Sequence, residues 1–145
     1  MESSQERKLL EILQKRHGWK KATLLVENLS QDGLIEDVLA ILNKISVIEQ
    51  LFEEYSEIAP ETIAKYKASR DAIRQRLFMV LDIMIKDPFY NRKILANRLV
   101  LLSGSIRRYK EKITAIAELL ESVLIDIEKD LLQALKSKAK ELLPK

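Results

Sequence analysis

The sequence predicts an all-α protein, a bundle of five or six helices with a long helix at its C-terminal end. Three observations carry that expectation. Between Ser105 and Leu135, Ile106, Ile113, Leu120, Ile127 and Ala134 recur every seven residues with no proline or glycine between them. Tyr109, Ile116 and Val123 fall three residues after successive members of that row, and Ala117, Leu124 and Leu131 fall four after. The apolar face is therefore wider than a two-stranded seam and needs at least two neighbours. At about 1.5 Å per residue this segment is roughly 45 Å long, too long to leave its apolar side in water. The second observation is composition: three glycines, three prolines and 32% charged residues in 145 favour long helices and short connections over sheets or linkers. The third is that apolar and polar residues nowhere sustain the alternation of a half-buried strand.

The elements follow in order. Ser3 and Glu6 have capping-box spacing, and Leu9, Leu10, Ile12 and Leu13 after them predict a first helix that stops at His17 and Gly18. Trp19 to Leu29 forms a second helix or a kinked continuation of the first, with Trp19, Ala22, Val26 and Leu29 along one side. Ser30, Gln31, Asp32 and Gly33 are turn-formers, with Asp32 or Ser30 placed to cap the next helix. Leu34, Val38, Ile41, Leu42, Ile45, Ile48, Phe52 and Tyr55 then keep helical spacing up to Pro60. Proline is tolerated in a first helical turn, and Glu61 beside it complements the dipole, so a new helix starts there. It runs toward Lys86 with Ile63, Tyr66, Ile73, Leu77, Leu81 and Met84 inward. Asp87 and Pro88 repeat the boundary signal. The helix after them is apolar nearly all round, and Ile94 to Leu102 is expected at the centre of the bundle. Ser103, Gly104 and Ser105 predict a bend before the long final helix, whose tail frays from Lys136.

One domain over residues 1–145 is expected, with 1–3 and 137–145 as frayed ends, and the length suffices to bury a core. The absence of cysteine excludes disulfides, thiolate zinc sites and thiol nucleophiles. Met1 to Lys8 is charged, unlike a signal peptide, and no apolar run approaches the roughly 20 residues of a membrane span, so the sequence predicts a cytoplasmic protein. Abundant Lys, Glu, Ile and Leu also suit a heat-adapted source. The formal charge of +3 hides a polarity: residues 22–61 hold nine acids and one lysine, a balance of −8, while residues 62–113 hold thirteen cations and four acids, a balance of +9.

No catalytic or cofactor signature is present. His17, the only histidine, reads as a solvated residue at a helix end. Glu49, Glu53 and Glu57 stand four apart on one face and read as salt-bridged or solvated rather than as a metal site, and no metal ligand set is assigned. Gly18, Gly33 and Gly104 are isolated, so no phosphate loop exists. A helix-turn-helix over Trp19 to Leu42 fails because its reading helix opens with Glu36 and Asp37, which phosphates repel. Cations flank both sides of the helix after Pro60, Lys65 and Arg76 on one flank and Lys67 and Arg74 on the other, as on a bundle helix that meets acidic neighbours.

The function these features favour is non-enzymatic: a structural or adaptor subunit that contacts a protein partner or a second copy of itself. The expected interface is Leu99, Leu102, Ile106, Ile113, Leu120, Leu124, Ile127 and Leu131. The competing reading is a nucleic-acid-binding accessory protein using Arg92, Lys93, Arg98, Arg107, Arg108, Lys110 and Lys112, interleaved with Tyr90 and Tyr109. Neither reading involves a cofactor, a membrane or a small-molecule substrate.

Overall fold

A computed structural model describes residues 4–87 and 95–142, with side chains over 4–87 and 108–142. The described chain is all-α: α1 (Ser4–His17), α2 (Trp19–Gln31), α3 (Ile35–Glu54), α4 (Pro60–Lys86) and α5 (Leu95–Leu142). The start of the helix expected after Pro88 and the side chains of Ile94 to Leu102 lie outside the described residues. Gly104 does not end a helix, because the helical backbone is continuous from Leu95 to Leu142. A lone glycine costs a helix interior only about 1 kcal/mol, which so long an element carries. The tail does not unwind at Lys136 either: strong helix formers continue α5 to Leu142 with their side chains in solvent.

Gly18 ends α1 at φ 81°, a conformation that L side chains rarely adopt, and α2 starts on the next residue. Trp19, expected inward, is 58% exposed, because the buried stripe of α2 starts one turn later at Ala22 and continues through Leu25, Val26 and Leu29. The turn after α2 also differs from expectation. Gly33, at φ 70°, closes a Schellman motif in which the Leu34 amide donates to the Leu29 carbonyl at 2.9 Å and the Gly33 amide to Ser30 at 3.2 Å. Ser30 does not cap α3, whose N-cap residue is Leu34, without a side-chain bond of its own. The Ser30 hydroxyl instead donates to Glu6 at 2.7 Å, tying α2 back to α1. Pro60 is the first residue of α4, as its chemistry dictates.

α1 and α2 form a hairpin that rests on α3 and α4, and α3 and α4 both pack on α5. The core runs through all five: Leu9 and Leu13, Leu25 and Leu29, Val38, Ile41, Ile45 and Ile48, Ile73, Leu77, Leu81 and Met84, and Ile113, Leu120 and Ile127. α4 and α5 are antiparallel in a register marked by reciprocal bonds. Tyr66 on α4 donates to Asp130 on α5 at 2.6 Å, and Tyr109 on α5 donates to Asp87, just past α4, at 2.5 Å. The steps from Tyr66 to Asp87 and from Tyr109 to Asp130 are equal in residues and span a whole number of heptads, which keeps both bonds on one seam.

The charge blocks pair within the fold in part. Glu49 on α3 receives Arg74 at 2.8 Å and Arg70 at 3.8 Å from α4. Glu53 and Glu57 pair with no cation among the described residues. Lys65 reaches Asp130 at 3.2 Å, so the flanking cations of α4 serve α5 on one side and α3 on the other, while Lys44 of α3 pairs with Glu121 of α5.

Two stability predictions follow from this packing. Leu120→Ala, at a fully buried site, lowers unfolding free energy by about 2–5 kcal/mol in urea titrations. Burial, together with the bond to Asp87, pushes the Tyr109 phenol up to about 12. A folded-state value above the ordinary value of about 10 means that this contribution is complete below about pH 10 and drains away as pH rises through about 12. Tyr109→Phe therefore shows a shallower loss of stability than the parent between pH values of about 9 and 11.5, read by the same titrations.

Candidate functional site

Of the residues expected at an interface, Ile113, Leu120, Ile127 and Leu131 are buried within the single chain, and Leu124 is half-buried against the same core. They hold α5 to α3 and α4 and are not open to another molecule. Leu99, Leu102 and Ile106 lie outside the described side chains. Among the expected nucleic-acid contacts, Arg108, Lys110 and Lys112 are exposed. Helical spacing puts Arg108 and Lys112 on one flank of α5 and Lys110 on the other, so these three form no single stripe. Arg92, Lys93, Arg98 and Arg107 fall outside the described side chains.

What faces outward is a groove between α4 and α5 of about 300 Å³, lined by Arg76, Met79, Val80 and Ile83 from α4 and by Lys112, Ala115 and Ile116 from α5. Met79 is 54% and Ile83 48% exposed, large apolar groups that a finished bundle would cover. Arg76 and Lys112 are the only charged residues in the lining, so the apolar floor has a positive rim.

The other flank of α5 carries the opposite pattern. Glu121, Ile125, Glu128 and Leu132 step by four, three and four residues and so share one helix face. Ile125 and Leu132 are 55% and 53% exposed, and Glu121 and Glu128 alternate with them. Val47 on α3, three residues after the Lys44 that pairs with Glu121, is also exposed.

A second concave site lies where the α1–α2 turn meets α4. Arg16 grips Asp82 with two donors, Nε to Oδ1 at 3.4 Å and Nη2 to Oδ2 at 3.0 Å, while its guanidinium lies 4.9 Å from the centre of the Phe78 ring. The His17 side chain is not solvated as its place at a helix end suggests; it is only 8% exposed, and its Nε2 stands 3.6 Å from Asp82 Oδ1. That separation is too long for a hydrogen bond, and Nε2 has no other partner. Lys21, Ile85 and Lys86 complete the walls of a cavity of about 470 Å³. Burial pushes the His17 imidazole below its ordinary range, Asp82 pulls it up, and Arg16 and Lys21 push it down. The Arg16 hydrogen bond holds the Asp82 carboxyl below its ordinary value. Sequence reasoning missed this site because Arg16, His17 and Lys21 are neighbours in the chain but Asp82 and Lys86 arrive from α4.

Among the described residues, no group of three or more His, Asp or Glu side chains gathers as a metal site, and no helix is long and apolar enough to cross a membrane. Comparisons with protein-family models, with curated proteins and with solved structures return no match.

Because His17 is the only histidine, its imidazole proton gives one assignable resonance. Its titration midpoint falls below the ordinary value of about 6.5. A depressed folded value favours the neutral ring, so its contribution to stability is present above about pH 6.5 and is lost as pH falls through the folded midpoint. A midpoint at or above the ordinary value contradicts this burial.

Proposed function

We propose that this chain is a non-enzymatic structural or adaptor subunit that works through protein–protein contacts, and that its α4–α5 groove receives the acidic strip of a second copy. The observation that carries the reading is the groove's half-exposed Met79 and Ile83 floor between Arg76 and Lys112. A helix that seats there needs apolar residues at helical spacing and acids beside them. The Glu121, Ile125, Glu128 and Leu132 face has that pattern; Glu121 already pairs with Lys44 of its own chain, so Glu128 is the acid left to meet the groove's positive rim. Burying Met79, Ile83, Ile125 and Leu132 supplies the affinity, while the charges select partner and register. Groove and strip are different patches, so the contact is heterologous: copies join head to tail and either close into a ring or extend.

Sedimentation across the micromolar range tests the proposal. The parent chain associates, and high salt weakens that association because the charge contribution is screened. A groove variant, M79E/I83E, and a strip variant, I125K/L132K, are each monomeric alone, yet their mixture forms a heterodimer and nothing larger, since one intact groove meets one intact strip. A parent that stays monomeric throughout, or a mixture that stays monomeric while both variants remain folded by circular dichroism, refutes it.

A further inference from the structure

We propose that His17 and Arg16 form a proton-operated switch on Asp82: Arg16 holds the carboxylate while the His17 ring is neutral, and one carboxylate oxygen passes to His17 when the ring takes up a proton from solvent. The switch is independent of the α4–α5 groove. Both donors converge on one atom. Asp82 Oδ2 belongs to Arg16 Nη2 at 3.0 Å, but Oδ1 stands between Arg16 Nε at 3.4 Å and His17 Nε2 at 3.6 Å. A charged donor that fully engages a carboxylate closes to about 2.7–2.9 Å. Neither donor has done so at Oδ1, so that oxygen is contested and the next hydrogen offered to it decides its partner.

Burial makes the choice depend on the ring's charge. The His17 side chain is only 8% exposed, and its buried Nε2 has no hydrogen-bond partner. Solvent does not reach that nitrogen, so a hydrogen placed on it must be taken by the group that faces it, Asp82 Oδ1. The separation also assigns the neutral ring's hydrogen to Nδ1. A hydrogen on Nε2 would draw the carboxylate in, whereas a lone pair there holds it off.

The charged groups around the ring are Arg16 on α1, Lys21 on α2, and Asp82 and Lys86 on α4. Burial, Arg16 and Lys21 oppose the imidazolium, and Asp82 favours it. The exchange therefore falls on the acid side of the ordinary imidazole value of about 6.5. Asp82 is still a carboxylate there, because the Arg16 hydrogen bond holds it below its ordinary value. Closing the gap to His17 brings Asp82 and the end of α1 together by about 0.8 Å. Gly18 and the start of α2 follow His17 directly, so the adjustment passes to the second helix. Arg16, with its guanidinium over the Phe78 ring, keeps its Nη2 bond and loses the one from Nε. The elbow thus seats on α4 in two ways, one for each charge state of His17.

Two NMR readouts on the full chain, followed from about pH 8 to about pH 5, test the switch: the nitrogen shifts of the His17 ring and the exchange of the Arg16 Nε–H with water. At the upper end the ring carries its hydrogen on Nδ1. As pH falls, the Arg16 Nε–H exchanges several-fold faster with the same midpoint as the ring, although acid slows exchange in an unhindered guanidinium. Lys21→Gln, at an exposed position, removes one opposing charge and raises both midpoints by the same amount without touching the buried ring. His17→Gln, folded by circular dichroism, abolishes the acceleration. A neutral ring with its hydrogen on Nε2, an Arg16 exchange that does not follow the ring, an acceleration that survives in His17→Gln, or midpoints that separate in Lys21→Gln overturns the proposal.

Discussion

The structure depends on the antiparallel seam between α4 and α5. The apolar rows of both helices supply its free energy, Ile73, Leu77, Leu81 and Met84 against Ile113, Ile116 and Leu120, but greasy rows alone do not fix which turn meets which. A slip of one heptad would leave much of that burial intact. It would also strand the phenols of Tyr66 and Tyr109 away from Asp130 and Asp87. Because each helix contributes one tyrosine, the penalty applies at both ends of the seam, and an unmet buried hydroxyl costs more than a made bond gains. The two pairs are therefore register marks on an interface that hydrophobic burial drives.

The ion pairs act in the same sense. Exposed bridges such as Lys65–Asp130 contribute about 0 to 1 kcal/mol at most, too little to explain a bundle but enough to discriminate among arrangements that bury similar area. The described part of the basic block divides its work: Arg70 and Arg74 meet Glu49 on α3, Lys65 meets α5, and Arg76 is left on the groove rim beside Lys112. The polarity along the chain is thus consumed only partly inside the molecule, and Glu53 and Glu57 remain at the surface.

Much of the architecture was legible in the residue order because it rests on local rules. Helical spacing identified the inward faces of α3 and α4, Gly18 the end of α1, and Pro60 the start of α4. The misreadings occur where a neighbour in space overrides a neighbour in sequence. Ser30 has the chemistry of a cap, yet Glu6 from α1 takes its hydroxyl. Gly104 has the look of a breaker, but the helical backbone runs through it from Leu95 to Leu142. His17 has the address of a solvated terminus and is covered once α4 brings Asp82 across. The groove was half legible: Arg76 and Lys112 could be placed on their helix flanks, but that Met79 and Ile83 stay uncovered depends on which side of α4 the remaining helices occupy.

α1 and α2 are joined by Gly18 alone, with the amide of that residue bonded back to Gln14 at 2.8 Å and its carbonyl accepting from Ala22 at 3.1 Å. A joint one residue long has no slack. Any tilt of the second helix must be taken up by the last turn of the first, where Arg16 is already fastened to the fourth. The hairpin consequently behaves as a lever with a stiff elbow: small displacements at the turn are transmitted to the far end of both arms, not absorbed between them.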